Sequence, residues 1–251
     1  MGDRDLRVVA VTGGSRGIGR AIAELFRERG ARVAICSRSL PDKKSSNGFY
    51  AVRADVRRRE DSFQFVKSVA KELGSLDVFV NCAGLSAWNP IQQIDESFAE
   101  KVLETNLLGT LWGCAAAAAV LPKGGCIVNV SSLAGKRGSS NNSAYCAAKF
   151  AVNGITQSLA KELGPRGIRV NAVCPVYVRT EQLASALQEP VSPAAGQEVE
   201  AYLASFAATQ TALGRLPEAG EVAEVVYFLA GPAASAITGQ CINVDCGALP
   251  Q

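Results

Sequence analysis

The stretch TGGSRGIG, residues 12–19, is the part of the chain that decides the expected fold. It completes the run LRVVAVTGG, residues 6–14, whose apolar and β-branched residues are typical of a strand buried on both faces. It leads into GRAIAELFRERG, residues 19–30, where apolar residues recur at helical spacing before a terminal glycine. Strand, glycine-rich turn and helix in this order predict the first unit of a parallel α/β sheet.

The same turn predicts a phosphate site. Glycine permits a tight turn and the close approach of a ligand to the backbone. The N–H groups and the positive end of the following helix then favour an anion. The spacing is Gly-x-x-x-Gly-x-Gly, which differs from the commonest dinucleotide fingerprint. The glycines alone also fit an ordinary β–α turn, but the strand before them and the helix after them favour dinucleotide binding.

The alternation of strands and helices continues along all 251 residues. Further strands are predicted at 32–37, 48–54, 76–81, 125–131, 168–173 and 241–244, with helices at 62–73, 95–120, 145–163 and 218–230. This order predicts an α/β fold with a Rossmann-type doubly wound parallel sheet, in a single domain spanning residues 1–251.

Two segments interrupt the alternation. The nine residues 39–47 are too few for a helical crossover, so we predict a mobile loop or a single turn there. Residues 179–215 follow a predicted strand and contain QEPVSPAAGQE, which is rich in proline, alanine and glutamine. A helical insertion at this position is where a substrate lid is expected.

Composition excludes several classes of function. The 26 basic and 23 acidic residues are interspersed, so neither a nucleic-acid surface nor a membrane surface is expected. The uncharged stretch at residues 107–122 is too short and too rich in small residues for a membrane span. Histidine is absent, which excludes Ser-His-Asp and Cys-His catalysis and any His-ligated zinc. The polar start and eight single cysteines predict a cytoplasmic protein with reduced thiols, and no metal site is expected.

Two arginines indicate which dinucleotide would bind. Arg16 lies inside the glycine-rich turn, and Arg38 follows the second strand, where an NAD site would place a carboxylate on the ribose. Cations in place of a carboxylate suit the 2′-phosphate of NADP(H). The alternative is that Arg38 is an exposed charge at a strand end.

With these residues assembled, the chain resembles the short-chain dehydrogenase/reductase family over essentially its whole length. The matching motifs are TGGSRGIG at 12–19, ADV at 54–56, NCAG at 81–84, TNLLG at 105–109, VNVSS at 128–132, YCAAK at 145–149, RVNAVCPVYVRT at 169–180 and TGQCINVDCG at 238–247. The resemblance implies an NAD(P)-dependent oxidoreductase with a catalytic tetrad of Asn106, Ser132, Tyr145 and Lys149. It also implies cofactor contacts from Gly13, Ser15, Arg16, Gly17, Ile18, Gly19, Ser37, Arg38, Asp55, Val56, Asn81, Ala83, Gly84, Tyr145, Lys149, Pro175, Val178 and Thr180.

The tyrosine and lysine of this tetrad are four residues apart, so they share a helix face. An ammonium beside a phenol favours the phenolate, which makes Tyr145 a better proton donor. In the expected reduction NADPH delivers hydride to a carbonyl carbon, Tyr145 protonates its oxygen, and Ser132 hydrogen-bonds that oxygen. Lys149 also holds the nicotinamide ribose. Asn106 either anchors a water in a proton relay or has a structural role in its helix.

The substrate is expected to be a ketone. Similarity is closest to 3-oxoacyl-(acyl carrier protein) reductases, so an NADPH-dependent carbonyl reductase acting on a small ketone or an acyl thioester is the leading hypothesis. The alternatives are an NAD(P)-dependent alcohol, diol or sugar dehydrogenase and a non-catalytic NADP-binding regulatory protein. Trp88, Tyr177 and Phe206 are expected to line the substrate pocket. In this family the predicted helices 95–120 and 145–163 commonly pair between subunits, which suggests a homodimer or homotetramer; packing within one chain is the alternative.

The chain departs from the family pattern at two glycine positions. The usual Pro-Gly is Pro175–Val176 here, and valine disfavours positive φ, so a differently shaped loop is expected. The usual Gly-Gly near the end is Cys246–Gly247, which is expected to affect packing more than chemistry. The cysteines near the expected cleft, among them Cys82 and Cys174, are expected to be small buried hydrophobes and not nucleophiles.

Overall fold

The strands of the protein form one twisted sheet at the centre of the molecule, as seen in a computed structural model that describes residues 7–40, 44–46 and 48–250. The strands are β1 Val8–Thr12, β2 Arg32–Ser37, β3 Lys44–Ser46, β4 Phe49–Arg53, β5 Val78–Asn81, β6 Cys126–Val130, β7 Arg169–Pro175 and β8 Cys241–Val244. Their spatial order is β3-β4-β2-β1-β5-β6-β7-β8. All neighbours pair in parallel except β3 and β4. The chain reverses its direction of progress between β1 and β5, and this is where a doubly wound sheet opens a binding crevice.

Helices cover both faces of this sheet. They are α1 Gly17–Glu28, α2 Arg59–Leu73, α3 Glu96–Leu103, α4 Gly109–Ala118, α5 Ser143–Leu163, α6 Glu181–Leu187, α7 Val199–Gln210 and α8 Ala219–Ala230. Successive side chains of a strand point to opposite faces. Val9 and Val11 of β1 therefore join the core under α1 and α8, while Val8 and Ala10 join the core under α2, α4 and α5. Burial on both faces explains why the strands are continuously apolar and confirms the predicted fold class.

The predicted helix 95–120 is interrupted by a wider turn. Asp95 caps its start by accepting the Phe98 N–H at 2.7 Å. Residues Glu104–Leu108 form a π-helical turn between α3 and α4, in which the Gly109 N–H donates to the Glu104 carbonyl. Single π-turns of this kind occur frequently at functional sites, and this one contains Asn106.

The prediction of a loop or a single turn at 39–47 is wrong for Lys44–Ser46. These residues form β3, which pairs with β4 in antiparallel register, Ser45 opposite Tyr50. The connection is too short for a helix, but a short hairpin onto the edge of the sheet satisfies backbone groups of β4 that would otherwise lack partners. Residues 41–43 and 47 lie outside the described residues.

The insertion after β7 is helical, as predicted. Helices α6 and α7 enclose a small apolar core of their own, built from Leu183, Leu187, Ala194, Leu203, Ala207 and Leu216 and closed by Trp88 from the loop after β5. Thr180 begins the insertion by capping α6, since its Oγ1 accepts the Leu183 N–H at 3.2 Å. In the described ranges, no helix combines the length and apolar character needed to cross a membrane.

Candidate active site

A cleft of about 1110 Å³ runs along the carboxyl ends of the central strands. Its walls come from the turn after β1, the segments after β2, β4, β5, β6 and β7, and the insertion. This is the crevice expected at the switch point of a doubly wound sheet. Of the residues assigned to the site from the sequence, all but Asn81 line this cleft.

The turn after β1 is built so that a ligand can approach the backbone. Gly13 and Gly17 have φ of +70° and +56°, which favours glycine at both positions. A Cβ on Gly13 would lie 2.9 Å from the Ala83 Cα, so the turn packs directly on the segment after β5. Thr12 joins the same two segments, because its Oγ1 accepts the N–H groups of Cys82 and Ala83 at 3.0 and 3.1 Å. The N-terminus of α1 therefore opens into the cleft, where it favours a phosphate.

Cations gather at the end of the cleft beside β2. Arg16 and Arg38 are both exposed and both line it, together with the hydroxyls of Ser37 and Ser39, whose oxygens are 3.2 Å apart. Cation and hydroxyl donors without a carboxylate at the strand end are the groups that a 2′-phosphate requires.

Asp55, the expected adenine contact, also lines the cleft, beside Val56. Its carboxylate is held by Arg57, whose Nη2 donates to Oδ2 at 2.6 Å. This hydrogen bond, helped by the nearby charge of Arg38, lowers the pKa of Asp55 below its usual 3.8. Asp55 is therefore an anion fixed in place, and its Arg57 partner was not predicted as a site residue.

Ser132, Tyr145 and Lys149 line the cleft on its β6 side, three strands away from β2. Ser132 follows β6 and caps the short helical turn Leu133–Gly135, since its Oγ accepts the Ala134 N–H at 3.1 Å. That bond uses a lone pair of the oxygen and leaves the hydroxyl proton available for donation into the cleft. Tyr145 lies in the first turn of α5, and Lys149 follows one turn later.

Lys149 is buried beside the tyrosine. Only 5% of it is exposed, and its Nζ lies 5.6 Å from the centre of the Tyr145 ring. The Nζ donates to the Val130 carbonyl at 3.0 Å, which uses one of its three protons. The ion pairs found among the described residues do not include Lys149. A buried ammonium without a carboxylate favours an anionic or polar partner, such as a phenolate or a ribose, in the cleft.

Asn106 lies at the cleft, but its side chain is used to hold the structure together. It is fully buried, its Oδ1 accepts the Leu85 N–H at 3.1 Å, and its Nδ2 donates to the carbonyls of Leu85 and Val102 at 3.1 and 3.0 Å. Both amide protons are therefore used in clamping the segment after β5 to the π-turn. The geometry favours the structural alternative for this side chain, and a part in a proton relay stays a prediction.

Asn81 does not lie on the cleft wall, so its part as a cofactor contact finds no support in the cleft geometry and stays a prediction. It is buried, and its Nδ2 donates to the Asn129 Oδ1 at 2.9 Å and to the Cys114 Sγ at 3.3 Å. Because strand side chains alternate, this last residue of β5 faces the layer of α4 and α5, while Ala83 and Gly84 beyond it turn into the cleft. Gly113 of α4 leaves room for Asn81, since a Cβ there would collide with the Asn81 Oδ1.

The substrate end of the cleft has an aromatic wall. The predicted residues Trp88, Tyr177 and Phe206 line it, and so does Tyr202, which was not predicted. Tyr202 lies four residues before Phe206 on α7, so helical spacing from Phe206 could have identified it. Gln182 of α6 was also missed; its Nε2 donates to the Gly84 carbonyl at 2.8 Å and joins the insertion to the segment after β5.

The departures from the family pattern have clear structural outcomes. Among the described residues, the non-glycine positions with positive φ are Asn141, Ala195 and Cys246. Val176 is therefore accommodated without a left-handed conformation, whereas Cys246 adopts one, with φ of +53°. Cys82 lines the cleft, but burial raises the pKa of its thiol to about 12, so the thiol remains protonated and is a poor nucleophile.

Comparison with known proteins matches the chain to reductases over nearly its whole length. Residues 13–248 match the family model described as enoyl-(acyl carrier protein) reductase. The (S)-acetoin-forming diacetyl reductase of Staphylococcus aureus is 40% identical over 255 residues, covering 96% of this chain and 97% of that protein. The 3-oxoacyl-(acyl-carrier-protein) reductase of Mus musculus is 36% identical over 247 residues, again covering 96% and 97%.

A solved structure shows the same similarity over nearly the whole fold. The actinorhodin polyketide ketoreductase with NADPH superposes with a TM-score of 0.87 at 32% identity, covering 99% of both chains. The family-model match, residues 13–248, extends from the glycine-rich turn after β1 to the segment after β8, and thus includes the residues that line the cleft. The chain therefore belongs to the short-chain dehydrogenase/reductase family of oxidoreductases.

Proposed function

We propose that the protein is an NADPH-dependent carbonyl reductase that converts a ketone to an alcohol. The observation that carries the proposal is that one cleft holds two arginines on one side and a serine, a tyrosine and a lysine on the other. These are Arg16 and Arg38, and Ser132, Tyr145 and Lys149, with the glycine-rich turn between them. An extended dinucleotide with an extra phosphate fits this arrangement of charges.

The residues present match the parts of NADP(H). The turn after β1 receives the pyrophosphate at the N-terminus of α1, and Arg16 and Arg38 receive the 2′-phosphate. Lys149 holds the nicotinamide ribose, and Val178 and Thr180 border the nicotinamide end of the cleft. When bound, NADPH supplies the hydride that goes to the carbonyl carbon.

The other half of the reaction belongs to the protein. Ser132 donates a hydrogen bond to the carbonyl oxygen, on which negative charge develops. Tyr145 donates the proton that completes the alcohol, and the ammonium of Lys149 stabilises the phenolate that remains. The reverse reaction, oxidation of an alcohol or diol, uses the same groups with the proton moving to Tyr145.

A small ketone fits the substrate end better than an acyl chain on a large acidic carrier. Arg179, a basic residue at the start of the insertion, is paired with Glu200 at 3.1 Å and so offers such a carrier little free positive charge. The aromatic wall of Tyr177, Tyr202 and Phe206 supplies apolar contact area. Two of the relatives support a ketone substrate by their names, the diacetyl reductase and the 3-oxoacyl reductase. We also propose that the protein acts in the cytoplasm as a homodimer or homotetramer.

The test is the oxidation of NADPH or NADH by the purified protein in the presence of 2,3-butanedione or a short 3-oxoacyl thioester. We expect turnover with NADPH and little with NADH. In Arg38→Ala, the KM for NADPH should rise by roughly tenfold to a hundredfold, since a charged hydrogen bond is lost. Arg53→Ala is the matched control, because Arg53 is an exposed arginine at the end of β4 that does not line the cleft.

Each other outcome points to a different conclusion. Equal use of NADH, or an unchanged KM in Arg38→Ala, would contradict the cofactor assignment. Oxidation of diols or sugars without reduction of any ketone would favour the dehydrogenase alternative. NADPH binding without turnover on any of these compounds would favour a non-catalytic regulatory protein.

A further inference from the structure

Two tyrosine hydroxyls meet inside the apolar wall of the substrate end. Tyr177 lies in the loop after β7, and Tyr202 and Phe206 lie on one face of α7. The ring centres are 6.0 Å apart for Tyr177 and Tyr202 and 4.8 Å apart for Tyr177 and Phe206. The two hydroxyl oxygens are 3.3 Å apart, within hydrogen-bond distance. All three side chains line the cleft.

One hydroxyl proton of the Tyr177–Tyr202 pair is not used in the hydrogen bond between the two tyrosines. Each hydroxyl carries one proton and can also accept. The bond between Tyr177 and Tyr202 uses one of the two protons, so the other is available to a third group. Burial, together with the Tyr202 hydroxyl, raises the pKa of Tyr177 above its usual 10, so this side chain remains a neutral donor at working pH. Burying a hydroxyl donor among apolar side chains costs free energy unless it finds a hydrogen-bond acceptor. A molecule bound in the cleft can supply that acceptor.

The pair and the reacting group face the same cleft. Tyr177 comes two residues after the end of β7, and Ser132 comes two residues after the end of β6, the strand that pairs with β7. An acceptor bound by the Tyr177 hydroxyl would therefore belong to the same small molecule whose carbonyl faces Tyr145. A carbonyl oxygen suits this position, since the pair offers one free hydroxyl proton and packs in the apolar cluster that contains Leu183 and Phe206.

We propose that the Tyr177–Tyr202 hydroxyl pair binds a second carbonyl oxygen of the substrate and makes the enzyme selective for dicarbonyl compounds over simple ketones. The inference rests on the proposed reduction of ketones and adds the feature by which the substrate is chosen. Ser132 and Tyr145 contact the oxygen of the carbonyl that is reduced. The hydroxyl pair binds the oxygen of the other carbonyl, so the substrate is held at two points.

The experiment compares kcat and KM for 2,3-butanedione and for 2-butanone, which lacks the second oxygen. Tyr177→Phe and Tyr202→Phe keep the aromatic packing and remove one hydroxyl each. We expect Tyr177→Phe to lower kcat/KM for the diketone by about tenfold, mainly through KM, and to change kcat/KM for 2-butanone by less than about twofold. Tyr202→Phe should act in the same direction.

Tyr227→Phe is the matched control, because Tyr227 packs on Phe26 at 5.1 Å between ring centres and does not line the cleft. If turnover of 2-butanone is too slow to measure, its inhibition constant against the diketone replaces KM. Equal losses for both ketones in Tyr177→Phe would show that the pair only supports the wall and would overturn the inference. Unchanged kinetics in both variants would overturn it as well. Failure of the unaltered protein to oxidise NADPH with either ketone would instead overturn the proposed function, and the inference with it.

Discussion

At the scale of single residues, the proposed chemistry depends on Tyr145 and Lys149. The lysine is almost completely buried, is bonded to the Val130 carbonyl and lies beside the tyrosine ring. Gly84 leaves room for the neighbouring Asn106, because a Cβ there would lie 2.9 Å from the Asn106 Oδ1. The first two turns of α5 thus place a phenol and an ammonium side by side in the cleft.

Replacing Tyr145 with phenylalanine removes the proposed proton donor and keeps the ring. We expect Tyr145→Phe to lower kcat by roughly 10²- to 10⁴-fold, the usual contribution of a positioned acid, while the dissociation constant for NADPH stays within about twofold. Stopped-flow turnover and NADPH fluorescence titration measure the two quantities. Tyr50→Phe, on β4 outside the cleft, is the control. A loss of NADPH binding as large as the loss of turnover would mean that Tyr145 has a structural role.

At the scale of elements, the insertion is fastened at its carboxyl end to α8. The Arg215 Nη2 donates to the Glu221 Oε1 at 2.7 Å, and its Nη1 donates to Oε2 at 2.8 Å. Glu221 also accepts the Glu218 N–H at 2.9 Å and completes a capping box at the start of α8. These bonds join the last residue of the insertion to a helix that packs on the sheet.

This fastening should depend on pH. The hydrogen bond from Arg215 lowers the pKa of Glu221 from 4.5 to about 2. Because the folded-state pKa lies below the unfolded value, the stabilisation is complete above about pH 4.5 and is lost as the pH falls towards 2. We expect the difference in free energy of unfolding between the unaltered protein and Glu221→Gln to shrink over this range. Urea denaturation at a series of pH values measures it, and a difference that stays constant would contradict the assignment.

At the scale of the whole molecule, a chain of buried polar groups crosses the layers. The Asn129 Oδ1 accepts from the Asn81 Nδ2 at 2.9 Å, which ties β6 to β5. The Asn129 Nδ2 donates to the Thr156 Oγ1 at 2.9 Å, and Thr156 donates to the Val152 carbonyl at 2.8 Å, which ties the sheet to α5. Since α5 carries Tyr145 and Lys149, this network positions both residues relative to the sheet.

Removing the central amide should therefore destabilise the fold. Asn129→Ala leaves buried groups of Asn81 and Thr156 without their partner, and we expect the free energy of unfolding to fall by roughly 2–4 kcal/mol. A double-mutant cycle with Thr156→Val, followed by urea denaturation, measures the coupling directly. Additive effects of the two substitutions would show that the network does not act as a unit.

Much of this molecule could be predicted from local patterns. Spacing along a few residues predicts three features: the buried strand, glycine-rich turn and helix at the start, the tyrosine and lysine one turn apart, and the two arginines at the cleft. The structure is helical over nearly all of the predicted helix 95–120, but the sequence did not predict its π-turn. That turn is hydrogen-bonded to Leu85, which belongs to another segment.

The sequence by itself determined the order of elements, the fold class and the residue types at the two ends of the cleft, because period and turn chemistry act over short distances. Only the tertiary structure decided that Asn81 faces α4 and not the cleft, that Asn106 clamps Leu85, and that Lys44–Ser46 adds an antiparallel edge strand. It also brought Tyr202 of the insertion to Tyr177. Each of these outcomes depends on which side of an element faces a segment far away in the chain, and such contacts are set by packing of the whole molecule rather than by local pattern.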